Sequence, residues 1–148
     1  MDFAVDTHEI EAFAARMRGA EPIVRDEMDH AMHRSVLTLE GKAKGLAPVK
    51  TGTLRRSITS EVRSAGGVIT GVVGTNVPYA RYVEEGRGPV EAKGRALRFT
   101  IGGQVFFRKR VGPAKATHFF RNAVAQSAGL IVKEFGQVIP RVANRLGW

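Results

Sequence analysis

The chain has 148 residues, of which 43% are hydrophobic, and this length fits one domain with a packed core. It has no cysteine, which excludes disulfides and thiolate metal sites, and no apolar run approaches the ~18 residues of a membrane span. The formal charge of +9 is uneven, because residues 1–34 carry eight acids and four bases whereas the remainder carries six acids and nineteen bases. This asymmetry favours a polyanionic partner or contact between like subunits, and a purely solubilising charge is the plainer alternative.

Two helices are predicted at the start of the chain. A capping-box spacing at residues 6–9 begins a short peripheral helix within 1–21, and Gly19 ends it. Pro22 suits the first turn of a longer second helix, which stops before Pro48. Its inward positions recur at spacings of three and four: Val24, Met28, Ala31, Ser35, Leu39 and Ala43.

A β-hairpin and a short helix are predicted next. Leu54 and Ile58 pack from one helical turn, and alternation after Ile58 indicates a half-buried strand. Gly66 and Gly67 mark the turn to a returning strand over 68–74. A short helix is compatible with residues 79–85.

A second hairpin follows a polar, glycine-containing loop at 86–94 that we expect to be mobile. Its strands are 96–101 and 104–111, joined by a two-residue turn at Gly102-Gly103.

A long C-terminal helix is predicted from Thr117, which suits its N-cap, and Pro140 should kink it or begin a separate last turn. Its apolar face carries Phe120, Val124, Ser127, Ile131, Phe135, Val138, Val142 and Leu146. The predicted fold is an α+β single domain, 1–148, in which an antiparallel sheet of two hairpins packs against a long N-terminal and a long C-terminal helix. Helices of ~25 residues run nearly 40 Å, so we expect part of this apolar face to meet another subunit.

No catalytic constellation is complete in the sequence. Residues 50–52 read Lys-Thr-Gly, but the S-x-x-K and S-D-N elements that accompany this triplet in penicillin-binding enzymes are missing. The same region lacks the spacing of a phosphate loop, and Pro48 removes an N–H that such a loop uses. A turn is therefore the favoured interpretation.

Histidine and carboxylate pairs are candidates for a metal site or an acid–base site. His30 lies four residues after Asp26, which permits shared ligation, but both lie on the polar face of the predicted helix. Glu84 and Glu85 are adjacent and cannot face each other on a helix. We expect one of them to anchor a loop or to pair with Arg81 or Arg87. We predict no catalytic residue, metal or cofactor.

Two segments carry the most informative pattern. The defining residues are Pro48, Thr51, Gly52, Leu54 and Ser57 in the first signature segment, 47–58, and Tyr79, Tyr82, Glu84 and Gly86 in the second, 79–86. Further pieces follow in order at 71–75, 96–99, 105–107 and 113–123. Together they resemble the neck, or head–tail joining, proteins of long-tailed phages, which are also called tail-completion or minor tail components.

This resemblance implies a non-enzymatic virion protein of α+β fold. It implies a ring, usually six-fold, between the head connector or stopper and the tail terminator or tail tube proteins, around the path of the DNA. Its place would be the head–tail junction of a virion assembled in the bacterial cytoplasm, and a gene transfer agent would look the same.

The second hairpin is strongly basic, with interleaved phenylalanines that we assign to the core. Its candidate contact residues are Arg95, Arg98, Arg108, Lys109 and Arg110. They could meet a neighbour's acidic residues, namely Glu9, Glu11, Asp26, Glu27 and Asp29, or make transient contact with double-stranded DNA. We favour subunit contact, because a DNA conduit must let DNA slide. The alternatives are a basic nucleic-acid-binding protein outside a virion and a small hydrolase or nuclease with a His or Glu site.

Overall fold

A computed structural model describes residues 8–148, together with the side chains of residues 11–100 and 102–148. Helices and hairpins alternate along the chain, which confirms the predicted α+β class. The elements are α1 (His8–Leu46), α2 (Thr53–Ser57), β1 (Ile58–Ala65), β2 (Val68–Thr75), α3 (Ala80–Glu85), β3 (Val90–Glu91), β4 (Leu97–Ile101), β5 (Gln104–Arg108), β6 (Arg110–Val111), α4 (Phe119–Gly136) and α5 (Val138–Leu146).

Helix α1 is continuous over 39 residues, so the predicted break at Gly19 and Pro22 is wrong. The C-terminal end of the chain contacts α1 on both sides of Pro22. Trp148 stacks on Phe13 with ring centroids 5.9 Å apart, and Arg145 pairs with Asp26 beyond the proline. These contacts oppose the bending that a proline favours inside a helix. The predicted capping box includes residues 6 and 7, which lie outside the described residues.

The first hairpin packs against the middle of α1. Strands β1 and β2 pair in register from Ile58 with Thr75 to Ala65 with Val68, and Gly66 and Gly67 form the turn with positive φ. Burial alternates along β1 as predicted. A Cβ at Gly71 would lie 2.6 Å from Met32 Sδ and would also meet Val36, so β2 approaches the helix closely at this glycine.

The second hairpin does not join the first in one sheet, which corrects the predicted arrangement. Strands β4 and β5 pair with each other, and β3 pairs with β6 from within the segment 86–94 that was predicted as a loop. The predicted strand 104–111 is divided at Lys109, because residues before it pair with β4 and residues after it pair with β3. The Gly102-Gly103 turn is confirmed, with φ of 58° and 83°.

Two small clusters form the core. One joins α1, the signature segments and the start of α4, and the other joins α1 to α5. Helix α4 ends at Gly136 and α5 begins at Val138, so the predicted separate last turn near Pro140 is confirmed. At its start α4 buries Phe119 and Ala123, with Phe120 half-buried and Val124 exposed, so the inward face is rotated by one residue from the prediction.

Candidate assembly site

The first signature segment is a tight turn that leads into α2. Gly52 has φ of 75°, as its turn position predicted, and its carbonyl accepts a hydrogen bond from Arg56 N at 3.0 Å. This turn places Leu54 and Ile58 in the core, where they are 4% and 0% exposed. The Lys-Thr-Gly triplet therefore serves as a turn.

Ser57 joins the first signature segment to the end of the first hairpin. Its hydroxyl donates to the Leu54 carbonyl at 2.8 Å and shares a hydrogen bond with Thr75 Oγ1 at 2.6 Å. Thr75 Oγ1 also accepts from Val77 N at 3.2 Å, just before the second signature segment. One short network of hydroxyls thus fixes the distance between the two signature segments.

Glu84 of the second signature segment caps helix α4. Its carboxylate accepts hydrogen bonds from the backbone N–H of Phe120 at 2.8 Å and of Arg121 at 3.0 Å. A carboxylate at this position satisfies two N–H groups that have no partner within the helix, and it faces the positive end of the helix dipole. Thr117 does not cap α4, contrary to the prediction, because its hydroxyl donates to the Val83 carbonyl instead. Glu85 pairs with Arg81 at 2.8 Å, one of the pairings the sequence predicted.

Gly86 lies where the backbone passes very close to another part of the chain. It has φ of 75° and ψ of 179°, a conformation that is essentially restricted to glycine. A Cβ here would stand 2.8 Å from Ala114 O and 2.8 Å from Ala116 N. The glycine therefore lets the second signature segment end against the segment that leads into α4.

Both signature segments contribute to the same core cluster. Its buried members are Ala43, Ala47, Leu54, Ile58, Ala80, Phe119 and Ala123. Four signature residues instead remain exposed: Pro48, Thr51, Tyr79 and Tyr82. An open groove of about 550 Å³ lies between the 48–54 turn, Tyr79, Val83 and two residues near the tip of the second hairpin, Thr100 and Gly102. The signature is thus largely a folding determinant with one exposed apolar edge.

Residues 87–114 form a β-arm that is rooted at Gly86. At the root, Arg87 and Ala114 exchange two backbone hydrogen bonds of 3.0 Å each. The register places Phe107 opposite Arg98 and Val105 opposite Thr100 on one face of the arm. Phe107 is 64% exposed on that face, whereas Phe99 and Phe106 stack together half-buried on the other. The core assignment of the phenylalanines is therefore wrong for Phe107.

The five basic residues singled out in the sequence lie close together along this arm and are exposed. They are Arg95, Arg98, Arg108, Lys109 and Arg110. Within the described residues, Arg110 is the one member of this set that has a carboxylate partner, Glu91, at 3.6 Å.

Two of the acidic residues expected to meet a neighbour's arm are already paired within the subunit. Arg145 of α5 forms ion pairs with Asp26 and, at 3.0 Å, with Glu27, which is buried. The hydrogen bond from Arg145 is the main reason that the pKa of Asp26 is below its usual value. Asp26 and Glu27 are therefore poor candidates for contact with another subunit.

The histidines of α1 form simple surface pairs. His30 lies 3.9 Å from Asp26 and His33 lies 3.5 Å from Asp29, and all four side chains are partly exposed. No group of three or more His, Cys, Asp or Glu side chains is placed for metal binding among the described residues. Within the same range, no helix combines the length and apolarity that crossing a membrane requires.

One known protein family matches this chain. Residues 11–86, half of the chain, match the family model HK97-gp10_like, which carries the description "Bacteriophage HK97-gp10, putative tail-component". The chain belongs to this family of phage tail components, and this agrees with the resemblance seen in its signature segments. The search of curated proteins and the search of solved structures each gave no match. The matched region ends at Gly86, so it contains both signature segments and stops where the β-arm begins.

Proposed function

We propose that this protein is a non-catalytic component of the head–tail junction, where copies of it form a ring around the DNA path. One observation carries the proposal: the subunit leaves an unusual amount of apolar surface uncovered. Among the described residues, nineteen large hydrophobic side chains are 37% to 79% exposed, whereas twelve hydrophobic residues are buried and six of those are alanines. Uncovered apolar side chains in this number favour contact with other protein subunits.

The total surface area supports the same conclusion. The accessible surface is 11071 Å², while a compact monomer of 16.1 kDa is expected to expose about 7,400 Å². The excess of about 3,700 Å² includes the sides of the long helix α1, and it is comparable in size with the area that obligate interfaces bury. A subunit in a ring has two such contacts, one with each neighbour, which is the arrangement that head-to-tail interfaces generate.

The apolar residues that a neighbour would cover lie mainly on the outer side of the helices. On the helices the most exposed are Ile139 on α5, Val132 on α4 and Leu37 on α1, and on the hairpins they are Val68 and Phe107. By the family resemblance, the ring is six-fold and lies between the head connector or stopper and the tail terminator or tail tube, in a virion of a phage or a gene transfer agent. Assembly takes place in the cytoplasm of the bacterial host.

Copy number in purified virions tests this proposal. Quantitative mass spectrometry against a labelled peptide standard should find about six copies per particle, as one six-fold ring of the kind implied by the resemblance contains. A tail tube subunit would be present in many more copies. Absence from purified virions would refute the proposal and would favour the second candidate, a basic nucleic-acid-binding protein that is not a virion component, for which the cationic β-arm is the supporting observation.

A further inference from the structure

The described part of the chain has few acidic groups left to meet its basic surface. Of the eleven carboxylate side chains in the described range, nine already have a partner within the subunit. They are Asp26, Glu27, Asp29, Glu40, Glu61, Glu84, Glu85, Glu91 and Glu134. The remaining two, Glu11 and Glu21, both lie on α1. A second copy of this chain therefore offers no acidic patch of matching size among its described residues.

Five cations without a carboxylate partner among the described residues lie at one bend of the β-arm, which we call the basic elbow and define as Lys93, Arg95, Arg98, Arg108 and Lys109. At this bend strand pairing changes from β4–β5 to β3–β6, and Ala92 N donates to the Lys109 carbonyl at 2.9 Å. All five side chains are exposed, and within the described residues none has a carboxylate within 4.0 Å. By the strand register, Arg98 and Arg108 lie on opposite faces of the ribbon, so this bend presents cations on both sides of the arm.

The arm has the shape and composition of a backbone-contacting element. A two-stranded β-ribbon is narrow enough to enter the major groove of duplex DNA. Residues 87–114 contain seven basic residues, one acid, one glutamine and no asparagine, so amide contacts to adenine are limited to one side chain, and arginine contact with guanine is the other route to reading bases. Lysine and arginine contacts to phosphates supply affinity that is independent of sequence and sensitive to salt.

We propose that the basic elbow of the β-arm binds the phosphate backbone of duplex DNA. This inference rests on the proposed function in one respect: the ring would place the β-arm of each subunit beside the DNA path. It replaces the sequence-based preference for subunit contact, because three of the acids named for that contact, Asp26, Glu27 and Asp29, are paired within the subunit. Phosphate contacts that do not depend on sequence let proteins slide along DNA, so such binding is compatible with DNA that moves through the ring.

Fluorescence anisotropy of the full chain with a labelled duplex of about 30 base pairs tests the proposal at several salt concentrations. For the wild type we expect binding to weaken steeply with salt, with a slope of log K against log salt of about −4.5 if five phosphates are neutralised. Replacing Arg98, Arg108 and Lys109 by Gln should weaken binding by about tenfold or more at low salt and make the slope shallower by about 3. Scrambling the duplex sequence should change nothing.

The matched control removes the same charge elsewhere, by replacing the exposed Arg18, Lys42 and Lys133 with Gln. It should retain most of the affinity. A DNA-dependent decrease in acetylation of Lys93 and Lys109, but not of Lys42 and Lys133, should locate the contact in the wild type without any substitution. Equal loss in both variants, or no protection of the elbow lysines, would overturn the proposal.

The outcome is separable from that of the proposed function. A wild type that binds no DNA yet occurs at ring stoichiometry in virions would overturn the DNA contact and leave the head–tail role standing. If the elbow variant bound DNA normally but failed to enter virions, the cations would serve a protein partner, and this inference would be wrong.

Discussion

The Glu84 carboxylate on α3 accepts the backbone N–H of Phe120 at the start of α4, with a donor–acceptor distance of 2.8 Å. This hydrogen bond joins the second signature segment to the C-terminal helix across the root of the β-arm. It explains why a carboxylate belongs at this signature position, since no side chain close to α4 in the sequence caps that helix.

Replacing Glu84 by Ala should lower the free energy of unfolding by about 1–2 kcal/mol, because two N–H groups at the start of α4 lose their acceptor. The adjacent substitution Glu85→Ala is the control, since it removes an exposed pair with Arg81 and should cost about 0.5 kcal/mol or less. Urea denaturation followed by circular dichroism gives both values. Equal losses of unfolding free energy in the two variants would show that the Glu84 cap stabilises the protein no more than an exposed ion pair does.

Two glycines of strand β2 should respond differently to the same change. Gly71→Ala forces a Cβ against Met32 and Val36 of α1 and should cost about 1–3 kcal/mol by overpacking. Gly74→Ala, three residues along the same strand, meets nothing within 4 Å and should be neutral or slightly stabilising. Thermal unfolding of both variants and the wild type measures these changes in stability. A harmless Gly71→Ala would mean that the first hairpin does not pack on α1 as described.

Two prolines also form a matched pair. Pro22 lies within α1, where a proline removes a hydrogen bond and clashes with the preceding turn, so Pro22→Ala should stabilise the protein by about 1–3 kcal/mol. Pro140 is the third residue of α5, where N–H groups have no partner within the helix, so Pro140→Ala should be nearly neutral. Denaturation midpoints distinguish the two. A destabilising Pro22→Ala would indicate that α1 is interrupted at this residue.

Glu134 should make stability depend on acid pH. Hydrogen bonds from Arg141 and then Arg34 lower the pKa of this carboxyl below its usual value of 4.5. A lowered folded pKa contributes stability above the unfolded value, and that contribution is lost as pH falls below about 4.5 through the folded pKa. Glu134→Gln should thus cost about 1 kcal/mol near neutral pH and nothing once the carboxyl is protonated in both states.

The control for this pH dependence is Glu21→Gln, which changes an exposed carboxylate that has no cationic partner within the described residues. It should leave stability unchanged at every pH. A cost of Glu134→Gln that stays constant from neutral to strongly acidic solution would contradict the assigned ion pairs.

Local patterns predicted the hairpins well, and remote contacts account for the main errors. The Gly66-Gly67 and Gly102-Gly103 turns and the alternation after Ile58 depend on neighbouring residues, so the sequence displays them directly. Helix α1 is continuous through Pro22, and the residues that contact it on both sides of the proline, Arg145 and Trp148, lie more than a hundred residues away, where no local rule applies.

The candidate site, like the fold, was predictable from the sequence where it depends on nearby residues and not where it depends on contacts between distant elements. The pairing of Glu85 with Arg81 follows from helical spacing, whereas the capping role of Glu84 requires that α3 meet α4 in three dimensions. The basic residues of the arm were evident from composition. Their lack of partners was not, because it depends on which carboxylates the fold pairs elsewhere, such as Asp26 and Glu27 with Arg145.

Electron microscopy of particles made by a phage or prophage in which this gene is disrupted is the most direct test of the central claim. The proposed role in joining head to tail predicts heads filled with DNA beside separate, complete tails, and joined virions should return when the wild-type gene is supplied in trans. Normal joined virions in the disrupted strain would contradict the head–tail role.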